Sequence, residues 1–380
     1  MEFCCKVHST IGAFNSEDWD QLDISNNPFC KYSFFAALED SDVVCNETGW
    51  EPKYIAIYQA NTLVAAAPCF IKSHPMGEYV FDWSWSDAYE RYGLPYYPKL
   101  ICAVPFTPVT GPRLMVAPQA DSSHLIPVLI EQMKELGRHI DGSGVHILFP
   151  DDTVSTFIRP EDLHKRKAVQ FHWLNRKYQD FDDFLSQLTS RKRKNIKKER
   201  KSIVEQGIEI DTKEGHQIST GDWHIFYQFY RQTYLKRSGH EGYLNQTFFE
   251  LLGKTMPNNL VMITGIKDDN IVAASLFLKS DTTLFGRYWG CHTENNHLHF
   301  ELCYYQGIEY CIKHKLDVFE AGAQGEHKLI RGFEPIFTFS YHSLFNPQFN
   351  QAIADFLNRE MKQVENYLKD AKRYLPYKEI

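Results

Sequence analysis

A short loop in the last third of the chain carries the densest set of reactive side chains. It reads GAQGEHK over residues 322–328 and follows an apolar stretch that predicts a buried strand. Glu326 or His327 could take a proton from a substrate, and Lys328 or Arg331 could neutralise a phosphate or an oxyanion. Gln324 is a further candidate for substrate binding. The alternative is a solvated charged turn, because charged loop residues are usually just exposed.

A second group of candidates lies within a predicted strand and consists of Arg287, Tyr288 and Trp289. Tyr288 could protonate a leaving group, with Arg287 and Trp289 binding the substrate beside it. An arginine in an apolar strand needs either a carboxylate or a ligand, and Glu320 on the following predicted strand is an available partner. Structural pairing and catalysis both remain open for this group.

In the first half, rings and charges alternate between residues 81 and 99. Asp82, Trp83 and Arg91 are the candidates there for a substrate-binding pocket. The alternative is ordinary core, since tryptophans and tyrosines at strand ends are usually packed in the interior.

One short segment is strongly basic although the whole chain has a formal net charge of -7. Residues 191–201 contain eight Lys and Arg residues against Glu199 alone, within a helical run predicted over 181–206. Binding of a nucleic acid would use phosphate contacts from Arg191, Lys194, Lys197 and Lys198, and it would weaken as salt rises. The alternative is a solvated helix face, and no recognisable RNA-binding signature accompanies the run.

These candidates are positioned by elements that occur twice in the chain. Residues 54–73 and 260–280 each read as two strands joined by a tight polar turn, and an offset of 208 carries Val64-Ala65-Ala66 onto Val272-Ala273-Ala274. A third strand, a helix and a further strand follow in both copies. The predicted helices are 125–139, 300–315 and 351–374, and the predicted later strands are 78–85, 145–149, 316–323 and 337–345.

This order of elements resembles the GNAT acyltransferase fold, and its duplication resembles the FemA/FemB transferases. The chain is also similar to an uncharacterised group of predicted N-acyltransferases described as peptidoglycan biosynthesis or recognition proteins. The stretches that carry the resemblance are NPFCKYSFFAALEDSDVVCNETGWEPKYIAI, EYVFDWSWSDAYERYGLPYYPKL and AVPFTPVTGPRL in the first half, and RKRKNIKKERKSIVEQGIEI, LFGRYWG, FELCYYQGIEYCIKHK and FEAGAQGEHKLIRGFEP in the second.

The resemblance implies an α/β fold with mixed sheets and two tandem GNAT-like domains, which we place at residues 1–175 and 176–380. It implies direct transfer of an acyl or aminoacyl group from acyl-CoA, acetyl-CoA included, or from aminoacyl-tRNA to an amine on a small molecule or peptide. The second domain would bind the donor. The first would bind the acceptor or be degenerate, since Pro68 interrupts its second predicted strand.

The sequence departs from GNAT acetyltransferases where those usually carry Arg-x-x-Gly-x-Gly/Ala to hold a pyrophosphate. Here the stretch reads CHTENNHLHF, with no glycine between Cys291 and Phe300. The departure favours aminoacyl-tRNA as donor, although a helix amino terminus binds phosphate through its free amides without those glycines. A different class of function also stays open, namely a binding or scaffold protein that recognises RNA, peptide or a cell-wall precursor.

Composition sets the expected environment. No stretch approaches the roughly 18 apolar residues of a membrane span, and the amino terminus lacks a basic region followed by a long apolar core. The nine cysteines show no CxxC spacing, which predicts reduced thiols and a cytoplasmic protein. The histidines and cysteines of residues 291–311 fit no paired zinc pattern, so we expect no metal. Oligomeric state is not readable from these features.

Overall fold

The computed structural model describes residues 3–22, 24–323 and 325–378. Two compact units are present: unit 1 is Met1–Ala168 with Phe337–Asn366, and unit 2 is Val169–Ile336 with Tyr367–Ile380. The units differ from the halves 1–175 and 176–380 expected from the repeat. Unit 1 includes residues 337–366 of the second half, because the late strand Glu334–Leu344 pairs with the strand Gly144–Leu148 of the first half.

Both units combine helices with strands, which confirms the predicted mixed α/β fold. The strands are β1 Phe3–His8, β2 Trp50–Gln59, β3 Thr62–Lys72, β4 Lys99–Cys102, β5 Met115–Val116, β6 Gly144–Leu148, β7 His164–Leu174, β8 Glu209–Glu214, β9 Leu260–Lys267, β10 Asn270–Lys279, β11 Thr283–Cys291, β12 Val318–Glu320 and β13 Glu334–Leu344. The helices are α1 Ser16–Asp20, α2 Tyr32–Asp40, α3 Trp83–Arg91, α4 Ser122–His139, α5 Phe181–Ser186, α6 Ser190–Glu205, α7 Thr220–Ser238, α8 Gln246–Thr255, α9 Leu298–Phe300, α10 Gln306–His314 and α11 Pro347–Lys372.

The sheet of unit 1 runs in the order β1-β2-β3-β4-β6-β13, with β5 paired to β3. All its pairs are antiparallel except β4 with β6. Its core lies between this sheet and α4, whose buried face carries Leu125, Leu129 and Met133. The spacing of four residues between these side chains places them on one side of the helix.

In unit 2 the order is β7-β12-β11-β10-β9-β8, and only the β11–β12 pair is parallel. Helix α7 packs on β11, and a helical segment from Leu298 to His314 packs against the sheet. That segment consists of α9, a π-helical turn at Glu301–Tyr305, and α10.

The two predicted hairpins are confirmed, and they turn in the same way. Ala60 and Asn61 join β2 to β3 with φ angles of 49° and 69°, and Asp268 and Asp269 join β9 to β10 with 50° and 61°. Positive φ at both central residues is the type I′ geometry that matches strand twist. The offset of 208 found in the sequence therefore superposes the turns as well as the strands.

Three sequence predictions about the elements are corrected. Residues 78–85 form no strand: the segment enters α3, because Trp85 and Tyr89 are buried on one helical face. The strand that follows the β2–β3 hairpin is β4, which pairs with β3. The helix predicted over 181–206 is two helices, α5 and α6, which separate near the buried Leu188.

The third correction concerns Pro68, which does not interrupt β3. It lies opposite Tyr54 of β2, between the part of β3 that pairs with β5 and the part that pairs with β4. The carbonyl of Pro68 accepts a hydrogen bond from the amide of Ala103, so the backbone of Pro68 faces away from β2. On that side, Pro68 lies in the gap between β5 and β4, where no strand needs the N–H that proline lacks. The strand continues because no ladder hydrogen bond is lost there.

Candidate functional site

The parallel strands β11 and β12 separate after three residue pairs. Pairing runs from Thr283 opposite Val318 to Phe285 opposite Glu320, where β12 ends while β11 continues to Cys291. The opening contains a cavity of 120 Å³. One of its walls is formed by residues 286–289 of β11, and Ala321 and Gly322 lie on the other side.

A β-bulge shapes the β11 wall of this cavity. Leu276 of β10 faces Tyr288 while its neighbour Phe277 faces Gly286, so Arg287 is the extra residue of the bulge on β11. Bulges re-aim side chains and are frequent beside active sites. Arg287, Tyr288 and Trp289, the group predicted from the sequence, all line the cavity.

Residues 275–277 of β10 also line the cavity, and the helical segment after β11 contributes His299, Cys303 and Tyr304. Burial, assisted by the charge of Arg237, lowers the pKa of His299 to about 4, so its imidazole is neutral at pH 7. Burial also raises the pKa of the Cys303 thiol and of the Tyr304 hydroxyl, which both stay protonated. The Tyr304 hydroxyl is hydrogen-bonded to Nε2 of His327 at 2.8 Å.

Sequence reasoning did not select His299 or Tyr304 for this site. The two residues are five apart, a spacing that ordinary helical periodicity does not bring to one face. The π-helical turn at Glu301–Tyr305 begins two residues after His299 and contains Tyr304, and such turns occur often at functional sites. No simple sequence pattern predicts that turn.

A larger cavity of 320 Å³ adjoins the first and shares Trp289 and His299 with it. It lies between the end of α7 and the loop that connects β11 to α9. Lys236 and Arg237 line it, and Lys236 forms an ion pair with Glu294 of the loop. The stretch CHTENNHLHF, which lacks the expected glycines, therefore borders a real cavity.

The loop at residues 322–328 contributes to the site less than its composition suggests. Gln324 lies outside the described residues. Glu326 is exposed, and its carboxylate accepts a hydrogen bond of 2.7 Å from the Tyr367 hydroxyl of α11. His327 is also exposed and connects to the 120 Å³ cavity through Tyr304.

Lys328 and Arg331, which were predicted to bind a phosphate or an oxyanion, both have buried side chains, and that role stays a prediction. Lys328 is 1% exposed and donates to the carbonyl of Gly322 at 2.7 Å. Burial, with a smaller contribution from the charge of Arg287, lowers the pKa of Lys328 to about 7. Arg331 is 3% exposed and donates to Glu199 at 2.9 Å and to Tyr305 at 2.8 Å.

The candidates of unit 1 fall into two groups. Asp82 is buried, where it accepts hydrogen bonds from Lys99 at 2.5 Å and from Tyr96 at 2.6 Å. The carboxylate of Asp82 thus balances a buried ammonium, which favours a structural role, and substrate binding by Asp82 stays a prediction. Trp83 and Arg91 are exposed at the two ends of α3, and a binding role for them stays a prediction.

The basic helix exposes the four side chains proposed to contact nucleic acid. Arg191, Lys194, Lys197 and Lys198 lie on the solvent side of α6, while Ile196 and Ile203 are buried on its opposite side. Lys197 pairs with Asp182 at 2.8 Å. This arrangement suits either phosphate contacts or simple solvation.

Across residues 3–22, 24–323 and 325–378, no group of three or more His, Cys, Asp or Glu side chains is arranged to hold a metal ion. All nine cysteines are free thiols. In the same part of the chain, no helix combines the length and the apolar character that crossing a bilayer requires.

Comparison with known proteins identifies relatives of the whole chain. The family model described as FemAB-like, peptidoglycan biosynthesis/recognition, matches residues 10–379. No curated protein matches.

Several solved structures are similar in fold. The structure of FemX has a TM-score of 0.55 at 10% identity, covering 93% of this chain and 100% of FemX. A conserved protein of unknown function from Bacteroides thetaiotaomicron has a TM-score of 0.52 at 10% identity, covering 90% of this chain and 99% of its own. A tandem GNAT protein from the clavulanic acid biosynthesis pathway has a TM-score of 0.47 at 12% identity, covering 91% and 99%.

Proposed function

The chain belongs to the FemAB-like family of peptidoglycan biosynthesis/recognition proteins, and we propose that it is an N-acyltransferase. It would move an acyl or aminoacyl group from a CoA thioester or an aminoacyl-tRNA to an amine. The observation that carries the proposal is the opened β11–β12 pair, with its bulge at Arg287 and its small cavity. A cavity lined by ionisable groups with shifted pKa values is a favourable place for catalysis.

We propose that the two cavities hold different parts of the donor, namely the acyl group and the carrier to which it is attached. The 120 Å³ cavity would hold the acyl group, and the 320 Å³ cavity would hold the adjoining part of the carrier. Lys236 and Arg237, at the border of the larger cavity, provide positive charge for a phosphate-bearing carrier such as CoA or the end of a tRNA. The scissile ester or thioester would then lie beside Trp289 and His299, which line both cavities.

The reaction needs no covalent bond to the enzyme. The acceptor nitrogen attacks the carbonyl carbon, a C–N bond forms, and the C–S or C–O bond to the carrier breaks. His299, whose imidazole is neutral because burial keeps its pKa at about 4, would accept the amine proton. The leaving sulfur or oxygen would take a proton from Tyr304, which His327 could reprotonate across their 2.8 Å hydrogen bond.

Tyr288 and Glu326, both predicted from the sequence to be catalytic, differ in their position relative to the cavities. Tyr288 lines the same cavity as Tyr304 and is the alternative acid for the leaving group. Glu326 does not line either cavity, and its carboxylate is hydrogen-bonded to Tyr367. We therefore propose His299 in place of Glu326 as the group that accepts the proton.

The experiment is a transfer assay with the full chain, labelled acetyl-CoA or labelled aminoacyl-tRNA, and a panel of small and peptide amines. His299→Gln should lower kcat at least about 100-fold and leave donor affinity nearly unchanged. Tyr304→Phe and Tyr288→Phe compare the two possible acids, with the exposed Tyr92→Phe as control. Donor binding without transfer to any amine would contradict the enzyme and support the scaffold alternative.

A further inference from the structure

The π-helical turn Glu301–Tyr305 is held at both ends by two consecutive residues of α6. At the first residue of the turn, the carboxylate of Glu301 pairs with the guanidinium of Arg200 at 3.0 Å. At the last residue, the hydroxyl of Tyr305 donates a hydrogen bond to the carboxylate of Glu199. A π-helical turn is a rare local departure from the α-helix, and here side chains of a different helix fix where it begins and ends.

The buried guanidinium of Arg331 connects the same turn to the segment that carries His327. Its Nε donates to the Tyr305 hydroxyl at 2.8 Å, and its Nη1 donates to the backbone carbonyl of His327 at 2.8 Å. Its Nη2 donates to the carboxylate of Glu199 at 2.9 Å, and its central carbon lies 3.6 Å from the centre of the Phe300 ring. Because the guanidinium is planar and rigid, these bonds fix the positions of its partners relative to one another.

The residues held in this way adjoin the groups proposed to take part in the reaction. Phe300 directly follows His299, and Tyr305 directly follows Tyr304. The ring of Tyr304 packs 5.4 Å from that of His299 and 5.6 Å from that of His327, measured between ring centres. A small shift of the turn would therefore break the hydrogen bond of 2.8 Å between Tyr304 and His327. Misplacement of a reacting group by about 1 Å can lower a rate about 100-fold.

We propose that Glu199, Arg200 and Arg331 are positioning residues for acyl transfer. They hold the π-helical turn so that the hydroxyl of Tyr304 stays within hydrogen-bonding distance of His327. Glu199, the single acidic residue in the basic run found in the sequence, thereby acquires a function that its neighbours in that run do not share. The inference rests on the proposed function and adds to it the residues that align the proton donor for the leaving group.

The kinetic test is a double-mutant cycle with the full chain. Glu199→Gln keeps the length of the side chain and removes the charge that binds Tyr305 and Arg331. It should lower kcat at least about tenfold while the Kd of the donor, measured by calorimetric titration, changes less than about twofold. In the Tyr304→Phe background the same substitution should lower kcat less than about twofold, because the hydroxyl that Glu199 aligns is already absent. Arg331→Lys, which keeps a positive charge but loses the planar fork, should behave like Glu199→Gln in both backgrounds.

A second measurement reads the alignment without turnover. Nitrogen NMR of the chain labelled at histidine detects the Nε2 atom of His327, and the variant His327→Gln identifies its resonance. Tyr304→Phe removes the hydrogen bond to this atom and shows the shift that its loss produces. Glu199→Gln should move the resonance in the same direction, although the hydrogen bonds of Glu199 go to Tyr305 and Arg331 rather than to the imidazole.

Asp222→Asn is the matched control for a general loss of stability in unit 2. Asp222 is also a buried carboxylate, and it accepts hydrogen bonds from Lys213 at 2.7 Å and from Ser219 at 2.7 Å. Its substitution should lower the free energy of unfolding but leave both kcat and the His327 resonance unchanged. Urea unfolding of every variant establishes that it is folded under the conditions of the assay.

The outcomes separate the two proposals. An undiminished kcat in folded Glu199→Gln, an equal loss of kcat in the wild-type and Tyr304→Phe backgrounds, or an unmoved His327 resonance would overturn the inference and leave acyl transfer standing. Absence of transfer by the wild type with every donor and amine would overturn the proposed function and the catalytic part of the inference. The NMR comparison would then still decide whether Glu199 holds Tyr304 against His327.

Discussion

Lys328 offers a direct test of the electrostatics beneath the site. Its ammonium is buried, and its pKa falls from 10.5 in an ordinary lysine to about 7 in the folded chain. At pH values between about 7 and 10.5, Lys328 binds a proton in the unfolded chain more than it does in the folded chain. The free energy of unfolding must therefore rise with pH across this window, and the penalty on the folded state is complete below about pH 7.

The magnitude follows from the two pKa values. Raising the pH from 7.5 to 9.5 should increase the stability contributed by this group by roughly 2 to 3 kcal/mol, since each full unit of the window is worth about 1.4 kcal/mol. Lys328→Met keeps the length of the side chain and removes the titration. The variant should lose this increment, so that its stability changes with pH less steeply than that of the wild type.

The measurement is urea unfolding of unit 2 at both pH values. Fluorine-labelled Trp173, which is fully buried in unit 2, reports that unit separately. Lys198→Met, which alters an exposed lysine of α6, is the control and should behave like the wild type. Equal increments in the wild type and in Lys328→Met would refute the conclusion that burial suppresses the charge of Lys328.

Three further outcomes follow from hydrogen bonding and packing in unit 2. Tyr304→Phe should lower kcat about 100-fold with donor affinity unchanged, as measured by steady-state kinetics and titration, and an undiminished kcat would remove this hydroxyl from the mechanism. Gly290→Ala should lower the free energy of unfolding by about 1–3 kcal/mol, because the added Cβ would lie 2.3 Å from the backbone of α7. In the control Gly221→Ala the added Cβ meets no atom closer than 3.6 Å, so the free energy of unfolding should not fall in this way. Arg331→Met should cost about 3 kcal/mol by stranding the carboxylate of Glu199, and part of that loss should return in the double variant with Glu199→Gln; additive losses would contradict the pairing.

The candidate site was partly visible in the sequence. Arg287, Tyr288 and Trp289 stand out as a charged and aromatic group inside an apolar strand, and they do line the small cavity. The loop at 322–328 has more ionisable residues, and its composition suggests a cluster of exposed charges. The side chain of Lys328 is nevertheless buried in the interior. Composition shows which groups are present in a loop but not the direction in which each one points.

The sequence by itself determined the parts that depend on neighbouring residues. Two apolar runs joined by a two-residue turn produce the same hairpin at Ala60-Asn61 and at Asp268-Asp269, because strand pairing across a tight turn is a local property. The match of residues 10–379 to the FemAB-like family rests on the sequence alone as well.

Tertiary structure decided what depends on residues far apart in the chain. Arg331 is buried because Glu199, 132 residues earlier, accepts its hydrogen bonds, and the late strand β13 joins unit 1 by pairing with β6. His299 and Tyr304 reach one cavity because Tyr304 lies in a π-helical turn and because β12 ends where β11 continues. The physical reason is that burial and pairing are set by the partner across the fold, which a short stretch of sequence does not contain.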